Sequence, residues 1–287
     1  MTMPSKLPVA TDQSVDALIK TIRIPPRPGM LSEVQQELAR PDPDPARLAS
    51  IIANDVSLSA SLLKLTNSPF FGLRLKATSV PHAVSLIGMR QCGLLMAGLI
   101  ARQSIQVENV SLVKFWDFSA KRAQAMAHLA SHTRICPPDL AHTFGLFCDI
   151  GIPLLLDRFP DYQQTLDLAA QERSRKFTEV EHERHNTSHT SVGALMARTW
   201  GLPEEVTAAI LLHHDYAVLA EPGTPDCVRA LIALALISDY SIHKYHGQEA
   251  VAEWDKGGVQ ATEYLGLTHH DLEDRFEELH DLFCQVH

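Results

Sequence analysis

Three short stretches place acid and imidazole groups where a globular chain normally keeps hydrocarbon. Asp149 stands in Gly145-Leu146-Phe147-Cys148-Asp149-Ile150-Gly151, His189 opens His-Thr-Ser-Val-Gly-Ala, and His213-His214-Asp215 closes an apolar run that starts at Val206. Polar groups on such segments need partners once buried, because an unsatisfied one costs about 1–3 kcal/mol. Stations this far apart in sequence, each on its own apolar segment, are what a metal site inside a helical bundle requires. The histidine distribution fits the same idea: 14 of the 15 lie at or after His128. Compositional drift would produce a similar excess.

The patterning between the stations is helical throughout. Apolar residues recur at helical spacing in Met30–Leu38, Leu48–Ala53, Leu58–Leu65, Trp116–His128, Tyr162–Glu172 and Val228–Ile242, and no alternating strand pattern with hairpin turns occurs. Leu94–Ile100 is apolar nearly all round, which marks a central helix. The first residues read as frayed, with a helix from near Ser14 ending at Ile24-Pro25-Pro26-Arg27-Pro28. Asp44, Asp55 or Ser57, and Ser79 are placed to cap the helices that follow them. Leu140–Leu156 reads as one buried helix carrying the Asp149 station, stopped by Gly151. Thr178-x-x-Glu181 has capping-box spacing, so one helix starting there is expected to carry His182, His185 and His189. His182 and His185 fall among charges and read as solvated, while His269-His270-Asp271 reads as a helix start capped by Thr268 or Asp271.

Several of these residues resemble one family. Ile24-Pro25-Pro26-x-Pro28, Ile51-Ile52-x-x-Asp55, Leu58-Ser59-x-x-Leu62-Leu63, Asn67-Ser68 and Ala83-x-x-x-Leu86-x-Gly88 are similar, in order, to motifs of the HDOD family, the HD-related output domain of bacterial signalling. The likeness continues through Trp116, the Gly145–Gly151 segment, His189-x-x-Val192-Gly193-Ala194, Trp200-Gly201-Leu202-Pro203 and His213-His214. One departure is Asp55-Val56, where the family usually has Asp-Pro.

The resemblance implies an all-α, two-lobed helical bundle: an HDOD domain over 15–217, its smaller N-terminal lobe running to about 110 and its HD-like lobe from about 111. Residues 218–287 would form a helical extension packed on the HD-like lobe. It also implies a site. Metal-dependent HD phosphohydrolases use a first histidine, a His-Asp pair and a later aspartate, and some members add further histidines. Here the first histidine maps near Phe118-Ser119, and the His-Asp pair reads Cys148-Asp149. A phenyl ring cannot ligate, and a buried thiol on an apolar helix behaves as a small hydrophobe. Asp149, His189, His213, His214 and Asp239 remain as a vestigial metal set, so no resident cofactor is expected beyond a single adventitious divalent ion.

The implied function is that of a non-catalytic signalling protein in a bacterial cytoplasm. It would act on a signalling partner, or bind a small ligand in a cleft between lobes. The alternative is a surviving metal-dependent nucleotide phosphohydrolase using Asp149, His189, His213 and Asp239. A net charge of −9 without a Lys/Arg cluster argues against nucleic acid. No charge-free apolar run of ~18 residues appears, so no membrane span is expected. Five scattered cysteines without a CxxC pair suit a reducing compartment. No phosphate-binding loop, HExxH motif or nucleophile elbow is present.

Overall fold

The computed structural model describes residues 22–68, 71–107, 110–248 and 250–284. Every regular element among them is helical, as the sequence pattern requires. The helix expected from near Ser14 lies outside the described residues. The chain divides into two compact units. One comprises Pro26–Gln106 with residues 281–284, and the other comprises Val107–His280 with residues 22–25.

The smaller unit holds α1 (Gly29–Leu38), α2 (Pro45–Ala53), α3 (Val56–Thr66), α4 (Val80–Ile87) and α5 (Met89–Ser104). Side-chain oxygens start three of them. Asp44 accepts from the Ala46 N–H, Asp55 from Leu58 and Ser79 from His82, each satisfying a donor the helix itself leaves open. Leu95, Met96, Ala97 and Ile100 of α5 are buried, as expected for a central helix.

The larger unit is built from α6 (Val113–Thr133), α7 (Pro138–Phe147), α8 (Gly151–Arg158), α9 (Tyr162–Gln171), α10 (Phe177–His185), α11 (His189–Thr199) and α12 (Glu204–Leu212). A 3-10 turn (Tyr216–Ala220), α13 (Asp226–Tyr245), α14 (Ala252–Tyr264) and α15 (His269–Cys284) follow, the last of which belongs to this unit as far as His280. The middle of α13, from Ala230 to Ser238, is buried without interruption. At the start of α15, Asp271 accepts from the Thr268 backbone and hydroxyl, so that histidine pair sits at an ordinary helix cap. Among the described residues, one helical stretch, Pro138–Arg158, is long and apolar enough to cross a membrane, and 72% of it is buried within the protein. Two bent helix pairs of the smaller unit reach the same threshold only when each pair is taken together.

Two expectations need correcting. Leu140–Leu156 is not one helix stopped by glycine: α7 ends at Phe147, Cys148-Asp149-Ile150 turns, and Gly151 begins α8. Nor does one helix carry His182, His185 and His189. Asn186 adopts φ +55° and ends α10, and Ser188 then accepts from the Ser191 N–H to start α11 with His189 as its first residue. The capping box is also not formed, because Glu181 is turned inward and Lys176 precedes the helix without a side-chain cap.

Gly151 shows why glycine is needed at the helix crossing that builds the site. A Cβ there would lie 2.1 Å from the His189 carbonyl oxygen and 2.9 Å from the Gly193 nitrogen, so α8 meets α11 backbone to backbone. Gly151→Ala is therefore expected to lose about 1–3 kcal/mol by overpacking against main chain that cannot yield. Gly223→Ala, where a Cβ would meet nothing within 4 Å, is expected to unfold like the parent in urea. Equal midpoints for the two variants would contradict this close crossing.

Candidate metal centre

The α7–α8 turn delivers Asp149 to the interior beside the start of α11 and the end of α12. Its Oδ1 lies 3.4 Å from His189 Nε2 and 3.3 Å from His213 Nε2, and those two nitrogens are 3.3 Å apart. His214 joins them, and all four donor atoms lie within 4.8 Å of one another. Of the five residues expected at the site, the structure brings these four together.

Each imidazole is held from behind. His189 Nδ1 donates to the fully buried Glu181 carboxylate at 2.9 Å, and Glu181 also receives the His189 backbone N–H and the Tyr162 hydroxyl. His213 Nδ1 lies 2.9 Å from the Ile210 carbonyl, which can only accept. His214 Nδ1 lies 2.7 Å from Glu253, which also accepts from the Tyr216 hydroxyl and from Lys256. Phe177 stacks on the His214 ring, 4.7 Å between centroids and 13° from parallel. These bonds fix which ring edge turns inward, the arrangement found behind metal-ligating histidines.

Asp239 faces the other side of Asp149, and a guanidinium lies between them. Arg122 of α6, 3% exposed, donates from Nη2 to Asp149 Oδ2 at 2.6 Å and from Nε to Asp239 Oδ1 at 2.5 Å. Asp239 is thus bound to Arg122 rather than gathered with the histidines. Phe118, where the first histidine maps, lies one turn earlier on the same helix, with the Arg122 guanidinium 5.0 Å from its ring centre. Cys148 sits beside the same cation. Burial pushes its thiol well above the ordinary range and Arg122 offsets this only in part, so the thiol stays neutral.

The charges follow the geometry. Burial alone would raise the Asp149 carboxyl, but Arg122 and the hydrogen bonds from His189 and His213 hold it well below the usual range. Asp239 moves the other way: burial and the nearby Asp149 charge raise it despite Arg122. His189 is raised to about 10, the Glu181 and Asp149 carboxylates outweighing its burial. His213 falls to about 4 through burial and the adjacent His214. A cavity of about 110 Å³ opens onto Asp149, His189, His213, His214 and Asp239, lined entirely by residues of the larger unit.

Arg122, Glu181 and Glu253 are the site residues that sequence reasoning missed. Arg122 left one usable signal, a cation embedded in Ser119-Ala120-Lys121-Arg122-Ala123-Gln124-Ala125, where small residues announce close helix packing. Glu181 was visible, but its capping-box spacing pointed to a different role.

The described elements are all helical, and a half-buried aspartate and three histidines converge on one cavity. The sequence profile of the HDOD domain matches residues 24–216, and the chain belongs to that family. A Treponema pallidum protein described as uncharacterized is 24% identical over 261 residues, covering 88% of this chain and 50% of that protein, so the chain spans half the length of this relative. An HDOD domain protein of unknown function from Geobacter sulfurreducens has a similar fold, with TM-score 0.70, 20% identity and 95% of this chain and 94% of that one covered. A Shewanella amazonensis protein provisionally named a phosphohydrolase is similar at TM-score 0.67, with 20% identity and 96% and 97% coverage.

Removing the guanidinium would leave two half-buried carboxylates facing each other. Arg122→Met is expected to cost about 3–5 kcal/mol, the range for one-sided loss of a buried ion pair, toward its lower end because Asp149 and Asp239 keep some access to solvent. Arg122→Lys would not recover it, since a point charge on a flexible stem cannot reproduce the planar fork that serves both acids. Urea unfolding of both variants checks this, and parent-like midpoints would contradict it.

Proposed function

We propose that this chain is a bacterial signalling module that no longer hydrolyses phosphoesters. It acts by binding a protein partner, or a small ligand in the cavity of its larger unit. The observation that carries this reading is Arg122 bound to both aspartates. Two-metal hydrolysis needs carboxylates free to bridge two ions, with open positions for water and phosphate. A guanidinium does not deprotonate in proteins, offers no coordination position and occupies the oxygens a second ion would use. The replacement of two imidazole stations by Phe118 and Cys148 supports the same conclusion.

Cavity size is a second support. At about 110 Å³ it is well below the roughly 300–1,000 Å³ typical of pockets for drug-sized ligands, so a nucleotide is not accommodated as the side chains stand. The net charge of −9 favours a protein or small-ligand role over nucleic acid. Five scattered cysteines without a CxxC pair suit a cytoplasmic setting. The hydrolase reading draws on one specific observation, the ordered histidines, and one assay separates the two. A phosphate-release screen of linear and cyclic nucleotides with added magnesium or manganese is expected to show no turnover. Turnover that disappears in Asp149→Ala would establish the hydrolase instead.

A further inference from the structure

We propose that residues 173–177, which lead from α9 into the first turn of α10, are a strap that closes the cavity of the larger unit and opens when two ion pairs release it. This rests on reading the cavity as a ligand site, and it names how entry to that site is regulated.

Phe177 is the cover. Its ring lines the cavity, lies nearly parallel to the His214 ring at 4.7 Å and meets the His189 ring edge-on at 5.4 Å. The side chain is half-buried while residues 173–176 are exposed, so the segment has one face on the cavity and one in water. With Phe177 in place the cavity holds about 110 Å³, below the range for an organic ligand of ordinary size. The wall supplied by Ile232, Ala235 and Leu236 cannot yield to admit one, because it belongs to the uninterrupted buried stretch of α13. The Phe177 ring stands at the end of an exposed connection and can.

Two ion pairs hold the strap against the rest of the unit. Arg173 is bound to Asp255 of α14, and Lys176 Nζ lies 2.7 Å from Asp215 Oδ2, directly after the His213-His214 pair. All four side chains keep substantial access to solvent. Exposed pairs of this kind are weak and are screened by salt, so they make a latch rather than a permanent tie.

The start of α10 offers no other hold. It has no side-chain cap, and the residue in the cap position is Lys176, whose charge is unfavourable beside the positive end of a helix. Asp215 offsets that charge. One turn further on the helix is anchored, since Val180 and Glu181 are buried and Glu181 binds His189. The turn before it keeps its own shape, because Glu172 accepts from the Ser174 N–H and hydroxyl and from Arg175 Nε. Release therefore swings a preformed turn about the residues between Phe177 and Val180, and the bonds behind the imidazoles stay made.

The test measures access to His214 in the full chain with diethyl pyrocarbonate, which acylates an exposed imidazole nitrogen, followed by peptide mass spectrometry at neutral pH. Glu253 engages His214 Nδ1, so Nε2 is the atom left to react, beneath Phe177. Arg173→Gln combined with Lys176→Gln should label His214 roughly 2–30-fold faster than the parent, the combined effect of two exposed pairs. High salt should raise the parent rate by at least about twofold and leave the double variant unchanged. Phe177→Ala should label fast at either salt concentration. His270, with its side chain 88% exposed, reports reagent strength, and the buried His142 reports general loosening; neither rate should change. A double variant that labels like the parent, or that responds to salt as the parent does, would overturn the strap. So would equal acceleration at His142. Turnover in the phosphate-release screen would refute the signalling reading and leave the strap standing, whereas unchanged labelling without turnover would do the reverse.

Discussion

The bond pair from Arg122 to Asp149 and Asp239 governs what the larger unit can be. It joins three elements distant in sequence: α6, the α7–α8 turn and α13. Taking a guanidinium and two carboxylates out of water is expensive, and the attraction between them returns the cost only when the geometry is good. Such a triad contributes little net stability compared with hydrocarbon of the same shape. It does make every other arrangement of these helices costly, because any slip would strand a charge. The close approach of α7 to α6, where a Cβ on Gly145 would sit 2.7 Å from the Ala123 Cα, keeps the Asp149 turn within reach of Arg122.

The same bond pair divides Asp149 between two environments. Oδ2 belongs to the guanidinium, and Oδ1 faces the imidazoles of His189 and His213. A carboxylate with one oxygen neutralised by a fixed cation has one oxygen left to offer, so it serves a single ion well and a pair badly. The residues at Phe118 and Cys148 agree with this. Both side chains stand beside Arg122, where an imidazole would compete with the guanidinium, so a hydrocarbon ring and a neutral thiol suit these two positions, to which the family resemblance assigns histidines.

Much of the fold was legible because it rests on local rules. Capping aspartates and serines, prolines near helix starts and apolar residues at helical spacing marked most helices within a few residues, and the all-helical class followed from them. The errors came where tertiary contact overrides local preference. Gly151 looks like a helix stop, yet it begins a helix, because the constraint on it is the His189 carbonyl across the crossing. Glu181 carries capping-box spacing, but the buried His189 ring binds its carboxylate more strongly than a helix end would. The station residues Asp149, His189, His213 and His214 were readable as polar groups on apolar segments. Their partners were not, since Glu253 and Arg122 lie on helices whose own sequence explains a charge without any site. Pairing across 117 residues, as between Arg122 and Asp239, leaves no trace in periodicity.

The network behind the histidines shows where the consequences of occupancy would be felt. Glu181 links His189 to Tyr162 of α9, and Glu253 links His214 to Tyr216 and to Lys256 of α14. His213 is tied to the carbonyl of Ile210 in α12. Anything held by the four inward donors is therefore braced by five helical elements through bonds that are already made. The Glu181 and Asp149 carboxylates favour a proton on His189, raising it to about 10, while burial and the adjacent His214 lower His213 to about 4. On the proposed signalling reading, the useful output of such a site is the stiffness it gives the helices around it. The same reading takes the bonds of Arg122 to Asp149 and Asp239 as what stands against two-metal chemistry here.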